Sequence, residues 1–366
     1  MADRVLHIGV DGRELIGQPT GVGRYVERVL REWTRDPAFR HRVSVFLAAP
    51  PPARLTALGP AIQWRVERSR NSGTLWEQTR LPRAIGQAGV DVFFAAGYTA
   101  PLRSPCPFVV AIYDVSFAAH PEWFSWREGM RRRWLTARAA RGAHSIVTIS
   151  EFSRREIVEH LGVADSRVHV IPPGITTPVR PGRGNGRRPS VLYVGSIFNR
   201  RRLPDLIRAF SLVARAHPDA ALDIVGDDRT FPPENPGDAI VRAGLDGRAL
   251  WRRFVPDDEL GRMYWAARAF AFLSEYEGLG LTPLEGLAAG VPAVLLDTPV
   301  ARESCGDAAI YAARGDVAGV ANALEQLLYD ERLRTRLLDA APGALAKYTW
   351  PRAARDTLAL LERSGG

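Results

Sequence analysis

Short apolar runs alternate with longer amphipathic segments along the whole chain. Uninterrupted apolar runs are typical of strands buried in a parallel sheet, and apolar residues at every third or fourth position are typical of helices. The sequence predicts such strands at 4–10, 43–47, 90–94, 108–112, 145–149, 168–171, 191–195, 221–226, 250–255, 269–273 and 292–296. Amphipathic segments lie between many of them. The pattern therefore predicts an α/β protein built from two successive series of β-α units.

A segment rich in proline, glycine and arginine, 174–189, separates the two series. This composition disfavours regular structure and is typical of a linker. We therefore predict one Rossmann-like domain over 1–173 and a second over 190–350. Tyr348-Thr349-Trp350-Pro351 interrupts the pattern before a last helix within 351–366.

The stretch from Ser274 to Gly290 carries the most informative motif. It follows the apolar run 269–273, passes through a glycine-punctuated loop and enters a helix. Thr282, Pro283 and Glu285 match a capping box, in which the glutamate hydrogen-bonds the backbone at the helix start. On that interpretation Glu285 is purely structural.

A second carboxylate, Glu277, stands in the loop with seven residues between it and Glu285. Its structural alternative is an exposed loop acid. Ligands of open α/β sheets bind at the carboxyl ends of the strands, where this loop begins, and backbone N–H groups at a helix start can hold an anion. The N–H groups concerned are those of Gly278, Leu279, Gly280 and Leu281. The stretch therefore also fits a binding site for an anionic ligand.

From Glu277 onward, the letters E-G-L-G-L-T-P-L-E-G-L-A-A-G-V-P-A-V resemble the E-x7-E signature of the family 4 glycosyltransferases. The resemblance implies a retaining, sugar-nucleotide-dependent enzyme of the GT-B type. Its two Rossmann-like domains would face each other across a cleft, the first binding the acceptor and the second the nucleotide sugar. Its C-terminal helix would cross back to the N-terminal domain. The resemblance implies that Glu277 is catalytic and lies beside the transferred sugar. It implies that Glu285 binds the ribose hydroxyls of the nucleotide.

Two adjacent cations match the same family more loosely. Arg200 and Arg201 follow the predicted strand 191–195, where the family has an arginine and a lysine that bind the diphosphate. Arginine for lysine keeps the charge but exchanges a compact ammonium group for a planar guanidinium group. A solvated basic turn is the structural alternative.

Three further positions complete the donor site that the resemblance implies. Gly21 and Gly23 enter the first long helix, where the family has a glycine loop that faces the donor diphosphate and the acceptor. A plain turn is their alternative. Val255, with Phe254 beside it, ends the predicted strand 250–255, where the family holds the base of the nucleotide.

The predicted strand 108–112 ends at Tyr113-Asp114, where the family usually has His-Asp. Tyrosine in the histidine position puts any acid–base role of that histidine in doubt. Asp114 is retained, and the resemblance makes it a catalytic candidate at the acceptor site. A cap at the strand end is the structural alternative.

Composition narrows the chemistry. The 366 residues carry a formal net charge of +9 and only two cysteines, Cys106 and Cys305, without a zinc-binding spacing. No D-x-D, H-E-x-x-H, G-x-S-x-G or P-loop motif is present. Arginines and helix N-termini would therefore neutralise a donor diphosphate, which favours a metal-independent transferase without a cofactor. The absence of a long apolar run or a signal-peptide pattern favours a cytoplasmic protein.

The segment 121–141 combines aromatic and basic residues. Trp126, Met130 and Trp134 recur every four residues and form one stripe of a helix, and Arg131, Arg132 and Arg133 lie among them. Such a stripe is usually part of a core. A basic helix with exposed tryptophans could instead lie on an anionic membrane surface.

The leading hypothesis is the transfer of a mannose- or rhamnose-like hexose from a nucleotide sugar to a glycan or lipid-linked glycan. The N-terminal pattern resembles bacterial enzymes of surface polysaccharide synthesis, which favours a GDP-linked donor, with UDP- and TDP-linked donors as alternatives. A nucleic-acid-binding protein is the rival suggested by charge, but the arginines are scattered and no recognition module is readable, so we expect no nucleic-acid partner. A sugar-nucleotide epimerase of the same fold is the other alternative.

Overall fold

The two β-α series form two compact units in a computed structural model of the protein. The structure describes residues 4–17, 21–69, 73–178 and 188–366. Unit 1 comprises Met1–Gly174 together with Tyr348–Gly366, and unit 2 comprises Ile175–Lys347. Each unit has a parallel sheet with helices in its connections, which confirms the prediction of two Rossmann-like domains.

The sheet of unit 1 has seven strands. They are β1 (His7–Asp11), β2 (Arg42–Leu47), β3 (Ile62–Val66), β4 (Val92–Ala95), β5 (Phe108–Ala111), β6 (Ser145–Thr148) and β7 (Val168–Val170). Their order is β3-β2-β1-β4-β5-β6-β7, and every pairing is parallel. The sequence pattern does not predict β3, because alternate side chains of this edge strand are exposed. The order of the strands reverses between β1 and β4.

Helices connect these strands. They are α1 (Gly21–Arg35), α2 (Ala53–Thr56), α3 (Thr74–Ala88), α4 (Ser116–Ala119), α5 (Trp126–Gly142) and α6 (Glu151–Leu161). Ser150 caps α6, since its hydroxyl accepts a hydrogen bond from the backbone N–H of Ser153 at 3.0 Å. The buried faces of α3, α5 and α6 pack with the strands in one apolar cluster that includes Phe46, Phe93 and Ile146.

The sheet of unit 2 has six strands. They are β8 (Ser190–Val194), β9 (Ala221–Val225), β10 (Ala249–Arg252), β11 (Ala269–Phe272), β12 (Ala293–Leu296) and β13 (Ala309–Ala312). Their order is β10-β9-β8-β11-β12-β13, again with parallel pairings. Every residue of β8 and β11 is buried, as their continuous apolar runs predict. The order of the strands reverses between these two central strands.

The helices of unit 2 follow the same alternation. They are α7 (Leu203–Ala216), α8 (Pro236–Arg242), α9 (Asp257–Ala266), α10 (Leu281–Ala288), α11 (Pro299–Cys305), α12 (Val317–Tyr329) and α13 (Glu331–Leu345). The last helix, α14 (Trp350–Gly365), belongs to unit 1. There the Ala354 carbonyl accepts a hydrogen bond from Trp33 Nε1 at 2.9 Å, and the hydroxyl groups of Thr357 and Tyr25 are 2.9 Å apart.

Two predicted features lie partly outside the described residues. Positions 179–187 of the predicted linker 174–189 are not described, and neither are positions 18–20 before Gly21. Within the described part of the chain, no helix is long and apolar enough to cross a membrane.

Candidate functional site

The candidate site of unit 2 lies where the order of its strands reverses. The carboxyl ends of β8 and β11 are neighbours there, and this is the position at which open α/β sheets bind ligands. A 3₁₀ turn, Asn199–Arg201, follows β8, and the loop with Glu277 follows β11. The topology therefore brings the predicted cations and the predicted catalytic carboxylate to one edge.

Glu277 and Arg201 form a bidentate ion pair at this edge. Arg201 donates from Nε to Oε1 of Glu277 at 2.7 Å and from Nη2 to Oε2 at 3.1 Å. The Ser274 hydroxyl donates to the same Oε1 at 2.8 Å. The expectation of an exposed loop acid is therefore wrong, since the Glu277 side chain is only 17% exposed and has fixed partners.

The ion pair determines the charge of both groups. Burial opposes ionisation of Glu277, but the Arg201 charge and its hydrogen bonds outweigh burial and lower the pKa of the carboxyl group. Burial likewise opposes the charge of Arg201, and Glu277 outweighs it and raises the pKa of the guanidinium group. Both groups are therefore charged at neutral pH.

The backbone at the end of β8 makes room for Arg201. Gly195 has φ of 141°, and a Cβ atom there would lie 2.6 Å from Nη1 of Arg201. The same Nη1 donates to the Ser196 carbonyl at 2.7 Å, and the guanidinium carbon lies 4.8 Å from the centroid of the Phe272 ring. Only glycine combines this backbone angle with such a close approach.

A second ion pair joins the same turn and loop. Arg202, with φ of 48°, donates to Asp205 at 2.5 Å and to Glu275 at 2.8 Å. Glu275 also pairs with Arg314 at 2.9 Å. The sequence does not predict the ion pair of Arg202 with Glu275, although a run of three arginines, 200–202, indicates that more than one of them could be structural. Arg201 and Arg202 thus fix the loop that presents Glu277.

Arg200 stands at the same edge but has different neighbours. Its guanidinium carbon lies 4.3 Å from the centroid of the Phe198 ring, a cation–π arrangement, and its backbone carbonyl accepts a hydrogen bond from the N–H of Glu275 at 2.9 Å. Its charge also helps to lower the pKa of Glu277. Arg200 therefore adds positive charge to the edge beside the Arg201–Glu277 pair.

The predicted capping box is wrong. Helix α10 begins at Leu281, one residue before the predicted cap, and its N-cap is Gly280 with φ of 87° and no side-chain cap. The Glu285 carboxylate instead accepts a hydrogen bond from the Tyr264 hydroxyl of α9 at 3.1 Å. A tertiary contact thus orients Glu285, and Tyr264 is a positioning residue that the sequence analysis missed. Of the four residues whose N–H groups were predicted to hold an anion, Gly278, Leu279 and Gly280 precede α10, and Leu281 is its first residue.

The other predicted donor-site positions are distributed over both units. Val255 follows β10 and is buried, whereas Phe254 is 70% exposed. Gly21 and Gly23 lie in the first turn of α1 in unit 1, where Gly21 is exposed and Gly23 buried. These roles stay predictions.

Asp114 of unit 1 has the geometry of a cap. Its carboxylate accepts hydrogen bonds from the backbone N–H and hydroxyl of Ser116, at 2.9 and 2.7 Å, and from the Tyr98 hydroxyl at 2.8 Å. Tyr113 is buried and donates to the Ala96 carbonyl at 2.8 Å, and burial raises the pKa of its hydroxyl well above the usual value. Tyr113 therefore has a structural place, and the acceptor-site role of Asp114 stays a prediction.

One group of potential metal ligands occurs within the described residues. Glu156, Glu159 and His160 bring three ligand atoms together on α6 of unit 1, an arrangement that is common on exposed helices without an ion. It is not part of the edge that carries Glu277.

The arrangement in unit 2 suits an anionic ligand that carries a reacting centre. Guanidinium groups bind phosphate oxygens through charge-assisted hydrogen bonds, and the N-terminus of α10 favours negative charge. A partly buried, ionised carboxylate held by Arg201 and Ser274 can orient hydroxyl groups and stabilise developing positive charge.

Two family models match nearly the whole chain. Residues 19–178 match Glycosyltransferase Family 4, and residues 180–343 match Glycosyl transferases group 1. The chain is 25% identical over 261 residues to the O-antigen chain mannosyltransferase B of Escherichia coli, covering 68% of each protein. It is 26% identical over 293 residues to the GDP-mannose-dependent alpha-(1-6)-phosphatidylinositol monomannoside mannosyltransferase of Mycolicibacterium smegmatis, covering 74% of this chain and 76% of the relative.

The fold also resembles solved structures. The structure of HepE from Anabaena in complex with UDP and glucose superposes with a TM-score of 0.76 at 19% identity, over 98% of this chain and 100% of that one. At this identity the likeness concerns the fold, which is of the GT-B type.

Proposed function

Since the chain belongs to the family 4 glycosyltransferases, we propose that it transfers a mannose- or rhamnose-like hexose from a nucleoside-diphosphate sugar to a hydroxyl of a glycan or lipid-linked glycan. The observation that carries this proposal is the Arg201–Glu277 ion pair, with Arg200 beside it, at the point where the strand order of unit 2 reverses. The arginines and the N-terminus of α10 would bind the diphosphate without a metal ion. Glu277 would lie beside the transferred sugar, and Glu285, held by Tyr264, would bind the ribose hydroxyls.

The charges that develop during hexose transfer fit these groups. An oxocarbenium-like transition state gathers positive charge on the sugar while negative charge builds on the leaving diphosphate. The carboxylate of Glu277 would stabilise the first charge, and the arginines and helix N-terminus would stabilise the second.

Two similar proteins bear on the choice of donor. The mycobacterial relative is GDP-mannose-dependent, which favours a GDP-linked donor. HepE was solved with UDP, so a UDP-linked donor is the alternative to test.

A thermal-shift series with GDP, UDP, TDP and ADP tests the proposal. We expect GDP to stabilise the protein most, by about 2.7 kcal/mol at a hundred times its dissociation constant. Transfer of the hexose with release of nucleoside diphosphate would separate the proposed reaction from epimerisation. The proposal would be contradicted if none of the four nucleotides stabilised the protein. Binding of random duplex DNA that is tighter than nucleotide binding and falls steeply with salt would favour the rival function, nucleic-acid binding.

We also propose that the protein works in the cytoplasm, peripherally bound to an anionic membrane surface. Trp126, Met130 and Trp134 on α5 are 71%, 44% and 55% exposed, so the aromatic stripe is not part of the core. Arg131 and Arg132 are exposed on the same helix, one turn after Glu128, with which both form ion pairs. Exposed tryptophans among arginines suit the interface of an anionic bilayer.

Liposome flotation measures this contact. The native chain should float with vesicles that contain anionic lipid and much less with neutral vesicles, since each arginine near such a surface contributes about 1 kcal/mol. The double variant Trp126→Ala/Trp134→Ala should lose most of the flotation. The matched control Leu212→Ala/Leu250→Ala removes two exposed apolar side chains from unit 2 and should float like the native chain. Equal flotation with both kinds of vesicle would reject the proposal.

A further inference from the structure

A cavity of about 210 Å³ lies where the strand order of unit 1 reverses. Asp11, the last residue of β1, and Gly97 and Thr99, which follow β4, contribute to its walls, as does Glu77 in the first turn of α3. It is therefore at the carboxyl edge of the sheet, where ligands bind. A second cavity, of about 240 Å³, includes Phe108, the first residue of β5, and lies at the opposite edge.

Buried polar groups form one wall of the first cavity. Arg13 donates to Asp11 at 2.7 Å and to Glu77 at 2.5 Å, and the Thr99 hydroxyl donates to Glu77 at 2.6 Å. The side chains of Asp11 and Glu77 are only 3% and 1% exposed. A charged network in a buried position is costly unless its members satisfy each other, so this wall is rigid and its geometry is defined.

The turn that carries Thr99 is held in an unusual conformation. Tyr98 has φ of 65°, which only a few per cent of non-glycine residues adopt. A backbone hydrogen bond of 2.8 Å from the N–H of Thr99 to the carbonyl of Gly97 closes the turn. Strain of this kind persists where the surrounding structure fixes it and is concentrated at functional sites.

The charges of the walls favour a neutral ligand. Carboxylates of Asp11, Glu14 and Glu77 stand against the guanidinium groups of Arg13 and Arg131, which leaves a formal charge of −1. A phosphate group would be repelled. Sugar hydroxyls, by contrast, can donate to carboxylates and accept from guanidinium groups and hydroxyls at the same time.

We propose that this cavity binds one neutral sugar ring of the acceptor through the hydroxyl groups of that ring. The assignment to the acceptor rests on the glycosyl transfer proposed above. The cavity is smaller than the roughly 300 Å³ at which pockets for drug-sized ligands begin, so it has room for a single ring. Thr99 contributes specificity, because its hydroxyl donates to Glu77 and keeps lone pairs that accept from the sugar.

Saturation-transfer NMR with the full chain tests the proposal. The probes are the methyl glycosides of mannose, rhamnose, glucose and galactose, with mannose 6-phosphate as the anionic counterpart. At least one neutral glycoside should give a saturable signal, and mannose 6-phosphate should bind more weakly. Thr99→Val should weaken the binding of the neutral glycoside at least about fivefold. The matched control is Thr79→Val on α3, whose hydroxyl is exposed and bonded to the Leu75 carbonyl, and it should have no effect.

A second variant keeps the test decisive if Thr99→Val folds poorly. Glu14→Gln removes one negative charge from the cavity wall and keeps Asp11, Arg13 and Glu77 themselves, and it should raise the affinity for mannose 6-phosphate relative to the neutral glycoside. Binding of none of the four glycosides, tighter binding of the phosphate, or equal effects of Thr99→Val and Thr79→Val would overturn the assignment.

Thermal shifts with nucleotides on the same samples separate this proposal from the proposed function. Nucleotide binding without sugar binding overturns the cavity assignment alone. Sugar binding that is sensitive to Thr99→Val, without any nucleotide binding, supports the cavity and overturns the glycosyl transfer.

Discussion

Glu277→Gln is expected to lower the turnover of glycosyl transfer by about a hundredfold or more. The variant keeps the shape of the side chain and removes the charge that would stabilise the oxocarbenium-like sugar. Arg201 and Ser274 fix the carboxylate in place. A neighbouring side chain or water could therefore supply the missing negative charge only after the site reorganises. Turnover measured at saturating donor with purified native and variant protein gives the result.

The same substitution should also destabilise the protein. It leaves the Arg201 guanidinium group, 14% exposed, without its anionic partner, and removing one partner of a largely desolvated ion pair is costly. We therefore expect a lower melting temperature, whereas an exposed loop acid would have left it unchanged. The lowered pKa of Glu277 means that its contribution to stability is present above pH about 4.5 and is lost as the pH falls through the folded-state value. The difference in stability between native and variant should narrow accordingly in acid.

A double-mutant cycle separates catalysis from pairing. Arg201→Gln/Glu277→Gln removes both charges and should regain part of the stability lost in Glu277→Gln, because no lone buried charge remains. Its turnover should stay low. Near-normal turnover of Glu277→Gln, or recovery of turnover in the double variant, would show that Glu277 serves only to hold Arg201.

Arg200→Ala is expected to weaken nucleoside-diphosphate binding roughly 10- to 150-fold with little loss of stability. A charge-assisted contact to phosphate is worth about 1.5–3 kcal/mol, and Arg200 packs on Phe198 at the edge of the sheet rather than in the pair with Glu277. Affinity for the bare nucleoside should hardly change. Titration calorimetry with diphosphate and nucleoside measures both.

Two further arginine variants serve as comparisons for Arg200→Ala. Arg201→Ala should lower both diphosphate affinity and stability, since it leaves Glu277 buried without its cation. Arg262→Ala removes an exposed arginine of α9 that pairs with Asp258 at 2.9 Å. It should change neither the diphosphate affinity nor the stability. A parallel fall of nucleoside and diphosphate affinity in Arg200→Ala would point to damaged folding and would remove Arg200 from the diphosphate site.

The sequence pattern was sufficient for the architecture because buried parallel strands are continuous apolar runs. Such runs also indicate the carboxyl ends of strands, so the edge that carries Glu277 could be predicted. The partner of Glu277 could not, since Arg201 lies 76 positions away and only the adjacency of β8 and β11 brings it near.

Local motifs failed where a tertiary contact competes with them. Thr282 and Glu285 match a capping box, but the positive φ of Gly280 starts the helix earlier and Tyr264 takes the carboxylate of Glu285. Periodicity also placed Trp126 and Trp134 on one stripe of a helix, and it could not indicate whether that stripe faces a core or solvent.

The return of α14 to unit 1 has a consequence for biosynthesis. Unit 1 is assembled from residues 1–174 and 348–366, and the side chains of its buried Trp33 and Tyr25 form hydrogen bonds with α14 at positions 354 and 357. A chain emerging from the ribosome can therefore complete unit 2 before unit 1, although domains generally fold in order from the N-terminus. The face of α1 that contacts α14 therefore stays uncovered until positions 354 and 357 have been synthesised. Nascent-chain chaperones could therefore bind the apolar face of α1 throughout the synthesis of unit 2.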